Sequence, residues 1–194
     1  MKILCFGDSN TYGYDPRGFL GGRYPENVRW TGRLKEAGYD VVNLGQNGRE
    51  IPSTETAINR LKDCFLSHNP FDLLLVMLGS NDLLMHRNFT AEDAAGRMEN
   101  SLDYLTKEIP AEKIILIAPP PMNPGEWVDE NRLLTKFRRF GSCYSAVAGK
   151  MDTRFADASE WDISTAFDGV HFTEKGHAAF AEGIEQVLKV CGLL

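Results

Sequence analysis

Between Asp72 and Gly79 the chain runs Leu73-Leu74-Leu75-Val76-Met77-Leu78 without one polar residue. A run with no alternation suits a strand buried on both faces, as the inner strands of a parallel sheet are. Ile3-Leu4-Cys5-Phe6 and Ile114-Ile115-Leu116-Ile117-Ala118 repeat the pattern. Each of the three stops at glycine or proline, and a polar loop follows two of them. No feature constrains the fold more, because such strands require helices above and below the sheet.

The intervening stretches supply those helices. Helical character is expected from about Glu26 to Gly38, then from an N-cap at Ser53 through Ile58, Leu61 and Phe65 to the stop at Asn69-Pro70. Thr90 with Asp93 reads as the start of a helix carrying Met98, Leu102, Leu105 and Ile109 on one face, ended by Pro110. Leu133, Phe137, Phe140, Tyr144, Val147 and Met151 mark another, with Gly141 as its weak point. Thr173 caps the last, whose apolar face is Phe180, Ile184, Val187, Leu188 and Cys191. Two further strands are expected. One is Asp40 to Leu44, β-branched and bounded by Gly38 and Gly45; the other is a short one near Arg154-Phe155-Ala156. The expectation is an α/β fold, a flavodoxin-like three-layer α/β/α sandwich. Its five-stranded parallel sheet should have the order 2-1-3-4-5, within one domain covering residues 1–194.

Composition excludes several classes. A net charge of −6 argues against a nucleic-acid partner, which needs a basic face. No apolar stretch approaches the roughly 18 residues that span a membrane, and the N-terminal run is too short for a signal peptide. Cys5, Cys64, Cys143 and Cys191 are too scattered for a disulfide framework and read as small buried hydrophobes, so cytoplasm is the expected address. His68, His86 and His177 have no partners at ligand spacing, so no metal and no cofactor are expected. His177 should serve surface or packing rather than chemistry.

The polar residues fall where a parallel sheet gathers its loops. Asp8, Ser9 and Asn10 follow the first strand, Asn47 and Gly48 the second, Asn81 the third, and Asp168-Gly169-Val170-His171 precedes the last helix. Ligands bind along that edge in open α/β folds. With Asp168 three residues before His171, its carboxylate can reach the imidazole Nδ1–H, leaving Nε2 free to take a proton from Ser9. Ser9 is thus the candidate nucleophile, His171 its base and Asp168 the orienter. Asp8 and Asp82 read as loop-holding residues and Trp30 as core. Tyr12, Tyr14 and Phe19 read as pocket wall, while Trp127 and Trp161 could cover the site or an interface.

Phe6-Gly7-Asp8-Ser9, Asn43-Leu44-Gly45-Gln46-Asn47-Gly48, Gly79-Ser80-Asn81-Asp82 and Asp168-Gly169-Val170-His171-Phe172 together resemble the four ordered blocks of the GDSL, or SGNH, hydrolases. Val28-Arg29-Trp30-Thr31-Gly32 and Pro119-Pro120-Pro121 are similar to its arylesterase and acyltransferase branch. The resemblance implies a serine esterase with the Ser9, His171 and Asp168 triad. It also implies an oxyanion hole made by the Ser9 N–H, the Gly48 N–H and the Asn81 side-chain amide. A homo-oligomer is a further expectation from that branch. Two departures from the family's habit stand out: Asn10 replaces a leucine, and Tyr12 and Tyr14 stand where that branch favours tryptophan.

The expected activity is cleavage of short-chain carboxylic esters through an acyl-Ser9 intermediate, with acyl transfer as a companion reaction and a small-molecule ester as the partner. The competing reading is a flavodoxin-like binding module without hydrolase activity. Neither GxxxxGK nor GxGxxG supports it. An α/β-hydrolase is disfavoured because no serine stands in Gly-x-Ser-x-Gly.

Overall fold

The computed structural model describes residues 1–18, 22–128 and 131–193. Five strands pair in parallel: β1 (Lys2–Gly7), β2 (Asp40–Gly45), β3 (Leu73–Met77), β4 (Ile114–Ala118) and β5 (Arg154–Asp157). Their order is β2-β1-β3-β4-β5, as the sequence led us to expect. Ile3 pairs with Val41 on one side and Leu73 on the other, and Leu75 with Ile115. The eight α-helices of the described residues are α1 (Ser9–Tyr12), α2 (Trp30–Glu36), α3 (Glu55–Leu66), α4 (Ser80–Met85), α5 (Ala91–Leu105), α6 (Asn131–Phe137), α7 (Phe140–Lys150) and α8 (Glu174–Val190).

The unalternating strands feed two cores. Leu4, Phe6, Leu74, Val76, Ile114 and Leu116 point to one side, against α5 and α7 through Met98, Leu102, Phe140 and Tyr144. Ile3, Cys5, Leu73, Leu75, Met77, Ile115 and Ile117 point to the other, against α2 and α8 through Trp30, Leu34, Phe180 and Ile184. Each fully buried side chain of this size contributes about 1.5–3 kcal/mol, so the central strands are the rigid platform for the loops at their carboxyl ends. Thr90 and Asp93 form a reciprocal capping box, and Thr173 accepts from the Gly176 N–H at 3.1 Å, so both expected caps are present.

Several details differ from the sequence reading. The cap of α3 is Thr54, which accepts from the Ala57 N–H, rather than Ser53. The helix expected from Glu26 begins at Trp30, because the chain first turns at Pro25 to Arg29 with both the Val28 and Arg29 N–H groups on the Pro25 carbonyl. The helix expected over 133–151 is two, parted at Arg138-Arg139 and not at Gly141. The loop after β1 holds a two-residue antiparallel pairing, Tyr14–Asp15 with Gly22–Arg23. Only Cys5 is a buried cysteine; Cys64 on α3 is exposed, while Cys143 on α7, packed at the edge of the core, and Cys191 at the end of α8 are intermediate.

Candidate active site

Ser9 is the first residue of α1, separated from the end of β1 by Asp8 alone. Asp8 caps that turn, its carboxylate accepting from the Asn10 N–H at 3.0 Å. Burial pushes the Asp8 carboxyl up to about 6, as the desolvation of a charged form requires. Its role is structural, as expected.

From Ser9 a chain of hydrogen bonds leads inward. Ser9 Oγ lies 3.0 Å from His171 Nε2, and His171 Nδ1 lies 2.6 Å from Asp168 Oδ2. The other carboxylate oxygen, Asp168 Oδ1, accepts from the Val170 N–H at 2.9 Å and the His171 N–H at 3.0 Å. Ser9 is 6 % exposed, His171 3 % and Asp168 not at all. Burial alone would raise the Asp168 carboxyl. Hydrogen bonds from the His171 ring and from the two backbone N–H groups outweigh it, holding the group below the ordinary carboxylate range. An ionised Asp168 fixes the proton on Nδ1 and turns Nε2 toward Ser9 as an acceptor, a tautomer assigned from these partners.

The expected oxyanion donors converge on the same place. Ser9, Gly48, Asn81 and His171 line one cavity of about 250 Å³, with Tyr14, Asn47, Met85 and Trp127 completing its wall. A larger surface hollow, about 480 Å³ beside Glu26 and Lys35, holds no serine or histidine. Gly48 has a φ of +70°, in the left-handed region that glycine adopts without strain. Gly45 instead belongs to β2, where an added Cβ would sit 2.1 Å from the Tyr12 nitrogen. Asn81 lies in the first turn of α4, not in a loop. It donates one amide hydrogen to the Arg49 carbonyl at 3.0 Å, which leaves its second hydrogen for a ligand.

Several further contacts hold the loops of the site, and those of Arg49 and of the strap gave no signal in the sequence. Arg49 donates to the carbonyls of Gly7 and Leu44 and to Gln46 Oε1, lashing the Gly48 turn to the ends of β1 and β2. Asp82 accepts from the Ile51 N–H at 3.0 Å, as its loop-holding role predicts, and also pairs with Arg97 at 2.8 Å. Asn123, Glu126 and Trp127 donate backbone hydrogen bonds to the carbonyls of Gly169, Phe167 and Asp168, a strap along the histidine loop. A proline-ended strand followed by a long turn gave no sign of that pairing.

The aromatic residues divide. Tyr14 and Trp127 pack against the His171 ring, with centroids at 4.5 and 5.2 Å. Tyr12 does not line the cavity; its ring lies under the Arg23 guanidinium at 4.1 Å. Trp161 packs on Phe180 at 5.0 Å, on the core side. Phe19 lies outside the described residues. Trp30 is buried as expected, its Nε1–H donating to the Asn10 carbonyl at 3.1 Å. His177 is wholly buried in packing among Tyr24, Phe172 and Trp30. Among the described residues, no group of three or more His, Cys, Asp or Glu side chains could hold a metal ion, and no helix is long and apolar enough to cross a membrane.

The family model described as GDSL-like lipase/acylhydrolase matches residues 5–179. No curated protein matches the chain. Among solved structures, the aryl esterase of M. smegmatis is similar over 100% of this chain and 99% of its own, at 29% identity and a TM-score of 0.82. Est24, a carbohydrate acetylesterase from Sinorhizobium meliloti, matches with the same coverages at 26% identity and a TM-score of 0.81. A carbohydrate acetylesterase family member from the same organism reaches a TM-score of 0.84 at 27% identity, again over 100% and 99%.

Proposed function

As this chain belongs to the GDSL-like lipase/acylhydrolase family and is a carboxylic ester hydrolase, we propose that it cleaves short-chain esters through an acyl intermediate on Ser9. The observation that carries the reading is the continuous hydrogen-bonded line from Ser9 Oγ through His171 to Asp168, at 3.0 and 2.6 Å, opening on a cavity.

In this mechanism Ser9 Oγ attacks the ester carbonyl carbon while its proton passes to His171 Nε2. The carbonyl oxygen takes the negative charge and is met by the Ser9 N–H, the Gly48 N–H and the free Asn81 N–H. One such donor is typically worth about 3–4 kcal/mol in the transition state. Buried Asp168 stabilises the imidazolium formed next to it. When the tetrahedral centre collapses, the carbon–oxygen bond to the alcohol breaks and the departing oxygen takes the proton from Nε2. Water then repeats the sequence on the acyl-Ser9 ester; a second alcohol in its place gives acyl transfer.

Two features support the substrate class. Among the described residues the cavity wall carries no carboxylate, lysine or arginine side chain, which suits a neutral ester. At about 250 Å³ the cavity is smaller than the roughly 300–1,000 Å³ of sites for drug-sized ligands, which suits a short acyl chain. A p-nitrophenyl ester series tests both. Activity should peak at the shortest acyl groups, and a serine-directed organophosphonate should label Ser9. Ser9→Ala should lose about 10⁴-fold or more in kcat. Labelling at another residue, or full activity in Ser9→Ala, would refute the assignment; a maximum at long acyl chains would refute the substrate class.

A further inference from the structure

The residue after the proposed nucleophile is buried at 6 % exposure and turns both the nitrogen and the oxygen of its carboxamide to the histidine loop. Asn10 Nδ2 donates to the Val170 carbonyl at 3.1 Å, and Asn10 Oδ1 accepts from the Phe172 N–H at 2.9 Å. These are the two neighbours of His171. One planar group therefore grips the chain on both sides of the proposed base. Its own backbone is held in turn: Asp8 accepts from the Asn10 N–H and Trp30 Nε1–H donates to the Asn10 carbonyl.

The surroundings show that this grip completes a set. The Val170 and His171 N–H groups go to Asp168 Oδ1, and the His171 carbonyl accepts from the Ala166 N–H at 2.7 Å. The Val170 carbonyl and the Phe172 N–H remain, and Asn10 takes both. A short circuit results: Ser9, the adjoining Asn10, its two bonds to Val170 and Phe172, the His171 ring, and back to Ser9 Oγ.

On this basis, and resting on the catalytic reading of Ser9 and His171, we infer that Asn10 is a positioning residue that sets the distance between serine and base. Its carboxamide is required because the site presents one acceptor and one donor together. Leucine, the residue usual in the family at this place, can satisfy neither. In this chain the nucleophile turn itself carries the staple for the histidine loop. A buried amide of this kind is high-stakes: removing it strands the Val170 carbonyl and the Phe172 N–H without partners.

Asn10→Ala and Asn10→Asp test the inference, with active sites counted by organophosphonate titration so that misfolded protein is left out of the rate. Asn10→Ala should lower kcat per titrated site by about 10–100-fold, as expected for a small displacement of a catalytic group. KM should stay within about threefold, because Asn10 does not touch the substrate. Asn10→Asp keeps the acceptor for Phe172 and loses the donor to Val170. As a carboxylate it faces the Val170 carbonyl with no hydrogen between them, so its kcat per titrated site at neutral pH should fall at least as far as that of Asn10→Ala. A kcat per titrated site equal to the parent's in both variants, whatever their thermal stability, overturns the inference. So does a loss confined to KM. Ser9→Ala, assayed alongside, separates the two claims. If it keeps full activity the proposed function fails; if it is inactive while both Asn10 variants match the parent, this inference alone fails.

Discussion

Replacing Gly125 with alanine adds one methyl group in a place where two stretches of backbone already touch. The new Cβ would lie 2.3 Å from the Gly169 nitrogen, 2.5 Å from the Asp168 carbonyl carbon and 2.6 Å from Gly169 Cα. Ordinary contact begins near 3.4 Å, so the strap and the histidine loop must part by about 1.1 Å. No rotamer change relieves this, since every clashing atom is main chain. The parting pulls on the three strap bonds, Asn123 to Gly169, Glu126 to Phe167 and Trp127 to Asp168, at 2.9, 3.1 and 3.1 Å. A displacement of about 1 Å at a catalytic group can cost about 10²-fold in rate, or about 2.7 kcal/mol of transition-state stabilisation. We expect kcat on p-nitrophenyl acetate, per titrated site, to fall by about that factor, with an overpacking loss of about 1–3 kcal/mol in urea unfolding. Gly96→Ala, in α5 with open space around it, is the control and should leave kcat unchanged. A Gly125→Ala variant with the parent's kcat would refute the view that this strap sets the position of Asp168 and His171.

Two further outcomes follow from the same structure. Asn81→Ala should lower kcat by about 10²–10³ with little change in KM; an unchanged kcat in steady-state assays would remove Asn81 from the oxyanion hole. His177 is pulled down to about 3, first by burial and then by the Arg33 and Arg29 charges. With the folded pKa below the unfolded one, the unfolded chain binds the extra proton, so this stability is present above about pH 6.5 and drains as pH falls toward 3. The loss reaches about 2 kcal/mol at pH 5. His177→Gln should therefore show a shallower decline in urea midpoint between about pH 7.5 and 5 than the parent; equal declines would refute it.

Much of the fold was legible before any coordinates. Leu73 to Leu78, Ile3 to Phe6 and Ile114 to Ala118 announced themselves because a strand buried on both faces has no polar positions to confuse its pattern. Thr90 and Thr173 were readable because capping is local chemistry. The boundary shifts at Trp30 and Thr54 were not, since turn residues compete within a few positions of one another. Cys64 and Cys143 were misjudged because composition says a cysteine prefers burial, while its place on the helix face decides whether it is buried.

That Ser9, Asp168 and His171 come together was legible in the sequence because two of them share a four-residue loop and the third sits at a strand end that a parallel sheet must bring to the same edge. The residues that hold them were not. Asn10 meets Val170 and Phe172 about 160 positions away, Arg49 reaches back to Gly7, and Gly125 is required only because Gly169 lies against it. Sequence by itself determined which side chains can do the chemistry and which edge collects them, since residue type and strand pattern are local properties. The tertiary structure alone decided the distances between them, because those depend on backbone groups, carbonyls and N–H donors that every residue carries and no sequence pattern distinguishes.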